Sequence, residues 1–182
     1  MKRSLMSSER SLGKGKYLQF IKKGEWEYFR RINCSDIVII AALTDDLKVI
    51  FVEQYRPPVD KKVIEFPAGL LNDSKGAYET LIKGAKRELL EETGYVAQKI
   101  VKLLKGPVSS GASADLVTMV IASGLKKITA GGGVEGEGIT VHEVEWDRVD
   151  KWLLEMQRRG RLIEPKIYSG LYLLAKYNKL NF

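Results

Sequence analysis

Glu88, Glu91 and Glu92 stand at i, i+3 and i+4 in a segment with helical periodicity, so their carboxylates share one helix face. The same acids fall in the last turn before Gly94, a helix-ending glycine. Carboxylates there face the negative end of the helix dipole and its free carbonyls, which disfavour them. A hard divalent cation resolves the conflict, because it takes oxygen ligands and neutralises local charge. Magnesium in particular uses a few carboxylates and fills its shell with waters and substrate phosphates. The competing reading is a solvated charged face paired with Lys83, Lys86 and Arg87.

The residues around the acids favour the metal. Upstream lies Glu65-Phe66-Pro67-Ala68-Gly69-Leu70-Leu71, an apolar strand running into a Pro and Gly turn that leaves backbone carbonyls free. Glu79 is followed, after seven residues, by Arg87-Glu88-Leu89-Leu90-Glu91-Glu92-Thr93-Gly94-Tyr95. This run resembles the signature box of the Nudix hydrolases, with Tyr95 standing in for an aliphatic residue and about four extra residues in the loop between Gly69 and Glu79. The resemblance implies that Glu88 and Glu92 are metal ligands, that Glu91 is a ligand or positions the attacking water, and that the Ala68 carbonyl is a further ligand. It also implies a structural ion pair between Glu79 and Arg87, with Gly94 closing the box. The implied cofactor is Mg²⁺, with Mn²⁺ able to substitute.

The likeness extends over roughly residues 24–175. Glu53-Gln54-Tyr55-Arg56-Pro57-Pro58, the Glu65–Leu71 segment and Ile139-Thr140-Val141-His142-Glu143-Val144 resemble the branch that hydrolyses ADP-ribose and other nucleoside diphosphate sugars, and Pro165-Lys166-Ile167-Tyr168-Ser169 adds a weaker match. That branch implies substrate contacts from Arg56, Glu65 and Gly69, a base-stacking ring at Trp26, and a base-edge contact from Glu27. Arg56 suits the role because a guanidinium fork matches phosphate oxygens. The branch also implies a glutamate over the scissile phosphate, for which Glu137 and Glu135 are the candidates, Glu137 preferred. Their glycine-rich loop suits closure on bound substrate. The same resemblance implies a homodimer in which the N-terminal hairpins are exchanged between subunits. Ser110 stands where ADP-ribose-specific relatives carry proline, which widens the expected substrate from ADP-ribose to nucleoside diphosphate sugars. Other readings are a Nudix enzyme acting on dinucleoside polyphosphates, oxidised nucleotides or capped RNA, a non-catalytic ADP-ribose-sensing module, and a basic nucleic-acid binder.

These residues need a framework, and the hydrophobic pattern supplies one. Ile37–Leu43 is a continuous apolar run, the mark of a buried strand. Strand signals also cover 17–21, 25–31, 47–53, 63–66, 96–104, 116–122 and 139–146, with helices expected over 76–93, 147–158 and 166–176. The fold class is α/β: a Nudix α/β/α sandwich with a mixed β-sheet, plus an N-terminal β-hairpin extension. The expected division is 1–35, a flexible tail to about residue 15 and then a hairpin for substrate and dimer contacts, followed by the Nudix domain at 36–182. The letters Gly131-x-Gly133-x-x-Gly136 do not make a dinucleotide fingerprint, because they precede a strand late in the chain.

Composition agrees with a globular chain: 182 residues, 45% hydrophobic and 29% charged. Cys34 is the one cysteine, so no internal disulfide forms, and it reads as a small half-buried side chain. His142, the one histidine, reads as structural. The net charge of +7 favours anionic partners such as nucleotides. Its lysines and arginines are spread without a run of five, which argues against a dedicated nucleic-acid groove. With no apolar signal segment or membrane span, a cytoplasmic protein is expected.

Overall fold

The computed structural model describes residues 8–72, 78–133 and 137–181. Its N-terminal part is an antiparallel sheet of β1 (Glu9–Lys14), β2 (Leu18–Lys23) and β3 (Trp26–Arg31). The sequence predicts a tail and a hairpin here; β1 is an added strand. Its residues are all exposed, so no apolar alternation announced it. It is tied down instead by charge, with Glu9 accepting from both Arg30 guanidinium nitrogens at 2.9 and 3.0 Å.

The second sheet contains β4 (Asp36–Leu43), β5 (Lys48–Arg56), β6 (Lys61–Glu65), β7 (Ala68–Leu71), β8 (Tyr95–Pro107), β9 (Leu116–Lys127), β10 (Thr140–Glu145) and β11 (Leu162–Ile163). The helices are α1 (Leu81–Thr93), α2 (Val149–Arg158) and α3 (Lys166–Asn178). The main path runs β11-β6-β5-β4-β9-β8, with β10 on β5 and β7 on β4. The β4–β9 and β11–β6 pairs are parallel and the others antiparallel, so the sheet is mixed.

The continuous apolar run of β4 is explained by burial on both faces. Val38, Ile40 and Ala42 join Ala85 and Leu89 of α1, whereas Ile39, Ala41 and Leu43 join Leu153 of α2 and Ile167, Leu171 and Leu174 of α3. The layers are therefore helix, sheet, helix, as expected for a Nudix sandwich.

Two local features shape the site. β4 and β5 pair only at Ala42–Ile50 and Leu43–Val49, then diverge. β7 adds to β4 on one side of the fork, and β6 adds to β5 on the other. Helix α1 starts at Leu81, later than the sequence periodicity suggested, because the Thr80 side chain accepts from the Lys83 amide and caps it. Gly84 lets the helix lie close on β7: a Cβ there would stand 2.0 Å from Leu71.

Candidate active site

A cleft of about 650 Å³ opens at the fork. Glu88 and Glu92 reach it from α1, and Ala68 and Gly69 from β7. Gln54, Arg56 and Glu65 line it from β5 and β6, and Glu137 from the segment before β10. Glu91 is not among the lining residues, so the helix face read as one cluster of acids divides in space.

Arg87 bridges the two parts. Its guanidinium holds Glu79 through bonds of 2.9 and 3.0 Å, Glu91 at 2.9 Å and Glu88 at 2.8 Å, and it donates to the Leu70 carbonyl. The expected Glu79–Arg87 pair is thus part of a larger hub bracing α1 on β7. It keeps the Glu79 carboxyl below its ordinary pKa. Gly69 has a steric role: a Cβ would lie 1.9 Å from the Glu88 carboxyl carbon. Only a bare backbone lets Glu88 lie across β7.

Glu92 is 8% exposed and accepts from the Ala68 amide at 3.0 Å. Its pKa is raised to about 8, chiefly by burial; the Ala68 hydrogen bond opposes this, while the Glu88 and Glu137 carboxylates push further upward. In a strand the amide and carbonyl of one residue point to the same side, so the Ala68 carbonyl also faces α1. Among the described residues no three acidic, histidine or cysteine side chains converge as a ready metal cage. The donors nevertheless suit a hard ion. They are oxygens, and the mutual repulsion of Glu88, Glu92 and Glu137 is what a cation relieves.

The C-terminal end of α1 is bound by the glycine-rich loop. Gly132 and Gly133 donate to the carbonyls of Glu92 and Glu91 at 2.8 and 3.0 Å. Some of the unsatisfied carbonyl charge behind the acids is thereby neutralised. Gly131 must be glycine at this contact, with φ +70° and the Thr93 carbonyl carbon 2.4 Å from any added Cβ.

A comparison with known families gives a match to the NUDIX domain over residues 35–167. The chain belongs to the NUDIX family. An ADP-ribose pyrophosphatase of Bacillus subtilis is 38% identical over 48% of this chain and 45% of its own length. The methanol dehydrogenase activator of Bacillus methanolicus is 34% identical over 65% of this chain and 62% of its own. The ADP-sugar pyrophosphatase of Mus musculus is 33% identical over 64% and 61%. The chain thus spans about half to six-tenths of the length of these relatives. A solved structure titled as an ADP compounds hydrolase superposes with a TM-score of 0.70 over 98% of this chain and 97% of that one, at 18% identity, and shares the fold.

Other sequence candidates take separate places in this NUDIX fold. Arg56 bonds Glu65 at 2.7 Å on the cleft wall. Trp26 and Glu27 do not line the cleft; Trp26 is 64% exposed on β3, and Glu27 pairs with Lys22 at 3.5 Å. Trp26 lies against the 109–114 segment, where an added Gly111 Cβ would be 3.9 Å from the ring. Phe29 of β3 bonds both Ala112 and Ala114 there. Glu135 lies outside the described residues. His142 sits 3.2 Å from the buried Glu53 and against Trp152, a structural setting. Cys34 is half-buried, its Sγ 3.1 Å from the Asp36 carbonyl oxygen. Among the described residues no helix is long and apolar enough to cross a membrane.

Sequence reasoning missed Glu164 and Lys166, which pair with each other and line the cleft. Burial raises the Glu164 pKa, and Lys166 opposes that rise. The weak match at Pro165–Ser169 was the one signal beside them.

Proposed function

We propose that the protein hydrolyses the pyrophosphate bond of nucleoside diphosphate sugars, giving a nucleoside monophosphate and a sugar phosphate. The observation carrying this reading is the charge of the cleft. Among the described residues six acids line it (Glu65, Glu88, Glu92, Asp115, Glu137 and Glu164) against three cations (Arg31, Arg56 and Lys166). Such a surface repels a pyrophosphate unless divalent cations bind too. Glu88, Glu92 and the Ala68 carbonyl would hold Mg²⁺, or Mn²⁺ in its place, and bound metal would supply charge neutralisation for the phosphates.

The chain's residues have distinct tasks. Arg56, fixed by Glu65, orients phosphate oxygens. Glu137 is the preferred group to take the proton of the attacking water, with Glu91 the alternative. Water oxygen bonds to one phosphorus, the bridging P–O bond breaks, and the departing phosphate retains the bridging oxygen. Arg87 positions Glu88 without touching substrate, and Gly69 both makes room for Glu88 and meets the substrate with its backbone. Trp26 stacks on the base and Glu27 meets its edge. The N-terminal sheet is also the surface for a homodimer, and the protein works in the cytoplasm.

The names of the relatives support a sugar nucleotide as substrate. A panel of ADP-ribose, GDP-mannose, dinucleoside polyphosphates and oxidised nucleotides, each with Mg²⁺ and Mn²⁺, tests the reading by product analysis. The expected result is metal-dependent release of a nucleoside monophosphate from sugar nucleotides. Selective turnover of another class overturns it.

A further inference from the structure

The cleft is unequal along its length. Among the described residues no aromatic ring lines it, so its walls offer nothing on which a base can stack. Its end beside β9 has Ser109, Ser113 and Asp115, next to the segment that contacts β3. Trp26 stands at that side, against the same segment. The opposite end, at β6 and the start of α3, is formed by Arg56, Glu65, Glu164 and Lys166.

These four residues form two ion pairs on the same stretch of wall. Lys166 pairs with Glu164, and Arg56 pairs with Glu65. Glu164 also feels both the Glu65 carboxylate and the Arg56 guanidinium. A base near Trp26 and a pyrophosphate at Glu88 and Glu92 send the rest of a sugar nucleotide toward this end. That remaining part is rich in hydroxyls. A carboxylate accepts from neighbouring hydroxyls, and an adjacent ammonium donates to sugar oxygens, so such a pair is chemically matched to a sugar.

We propose that Glu164, held in place by Lys166, accepts hydrogen bonds from the hydroxyls of the substrate's terminal sugar and sets which sugar the cleft takes. This inference rests on the sugar-nucleotide reading of the site.

The test compares ADP-ribose with the β-methyl ester of ADP, which keeps the pyrophosphate but lacks a sugar. The quantity read is the ratio of kcat/KM for the two substrates, measured with Mg²⁺ for wild type and for Glu164→Gln. Loss of folded protein cancels from this ratio, and Glu164→Asp provides a second variant that retains the charge but withdraws it. The expected result is a fall of about 10- to 100-fold in the ratio for Glu164→Gln, the size of losing a hydrogen bond to a charged group. For Glu164→Asp a smaller fall is expected. An unchanged ratio in both variants overturns the assignment while leaving pyrophosphate hydrolysis intact. A wild type that cleaves neither these compounds nor GDP-mannose overturns the functional reading and this inference with it.

Discussion

Glu92 is buried beside two other carboxylates, and its ionisation is opposed mainly by that burial. Its pKa is raised from 4.5 to about 8 in the fold, so the folded protein binds this proton more tightly than the unfolded chain does. The resulting stability is fully present below pH 4.5 and is lost as pH rises through about 8. In chelator, Glu92→Gln should therefore melt higher than wild type at pH 8, by about 5 °C or more, and gain much less at pH 5. A thermal melt series across pH checks this, and equal shifts at both pH values contradict it. At this scale the sequence was informative for Glu79, Arg87, Glu88 and Glu92, because their spacing on one helix is local. Glu164 was not legible. Its place in the cleft comes from the return of β11 to β6, far along the chain.

The elements explain why small residues surround the acids. Gly69 lies on β7 where α1 crosses, and a Cβ would strike the end of the Glu88 side chain at 1.9 Å. A flexible carboxylate can move away, so Gly69→Ala should retain the fold while displacing Glu88 from its position. The expected outcome is a loss of turnover of about 10- to 100-fold with a melting temperature within a few degrees of wild type. Steady-state kinetics beside a thermal melt would measure both, and full activity would contradict the steric role of Gly69. Strands with apolar patterning, such as β4, were plain in the sequence. β1 was not, since its residues are exposed and ion pairs hold it. The start of α1 was placed too early because periodicity does not register the cap at Thr80.

On the scale of the whole molecule, the layered sandwich follows from β4, whose alternating side chains enter two different cores. The sequence announced that arrangement through an unbroken apolar run. It did not reveal how β4 and β5 diverge, which creates the cleft, because strand pairing is set by contacts distant in sequence. Trp26 stands outside the cleft, on the separate N-terminal sheet. If it stacks on the base, Trp26→Ala should raise KM by about tenfold and leave kcat within about threefold. An unchanged KM for both ADP-ribose and GDP-mannose would contradict that role. The central claim, metal-assisted cleavage of a sugar nucleotide at Glu88 and Glu92, is tested most directly by following ADP-ribose with Mg²⁺ through ³¹P NMR, in wild type and Glu92→Gln. The account predicts AMP and ribose 5-phosphate from wild type and a rate lower by at least about a thousandfold in the variant; a wild type inert toward both ADP-ribose and GDP-mannose, or a variant with near-wild-type turnover, would contradict it.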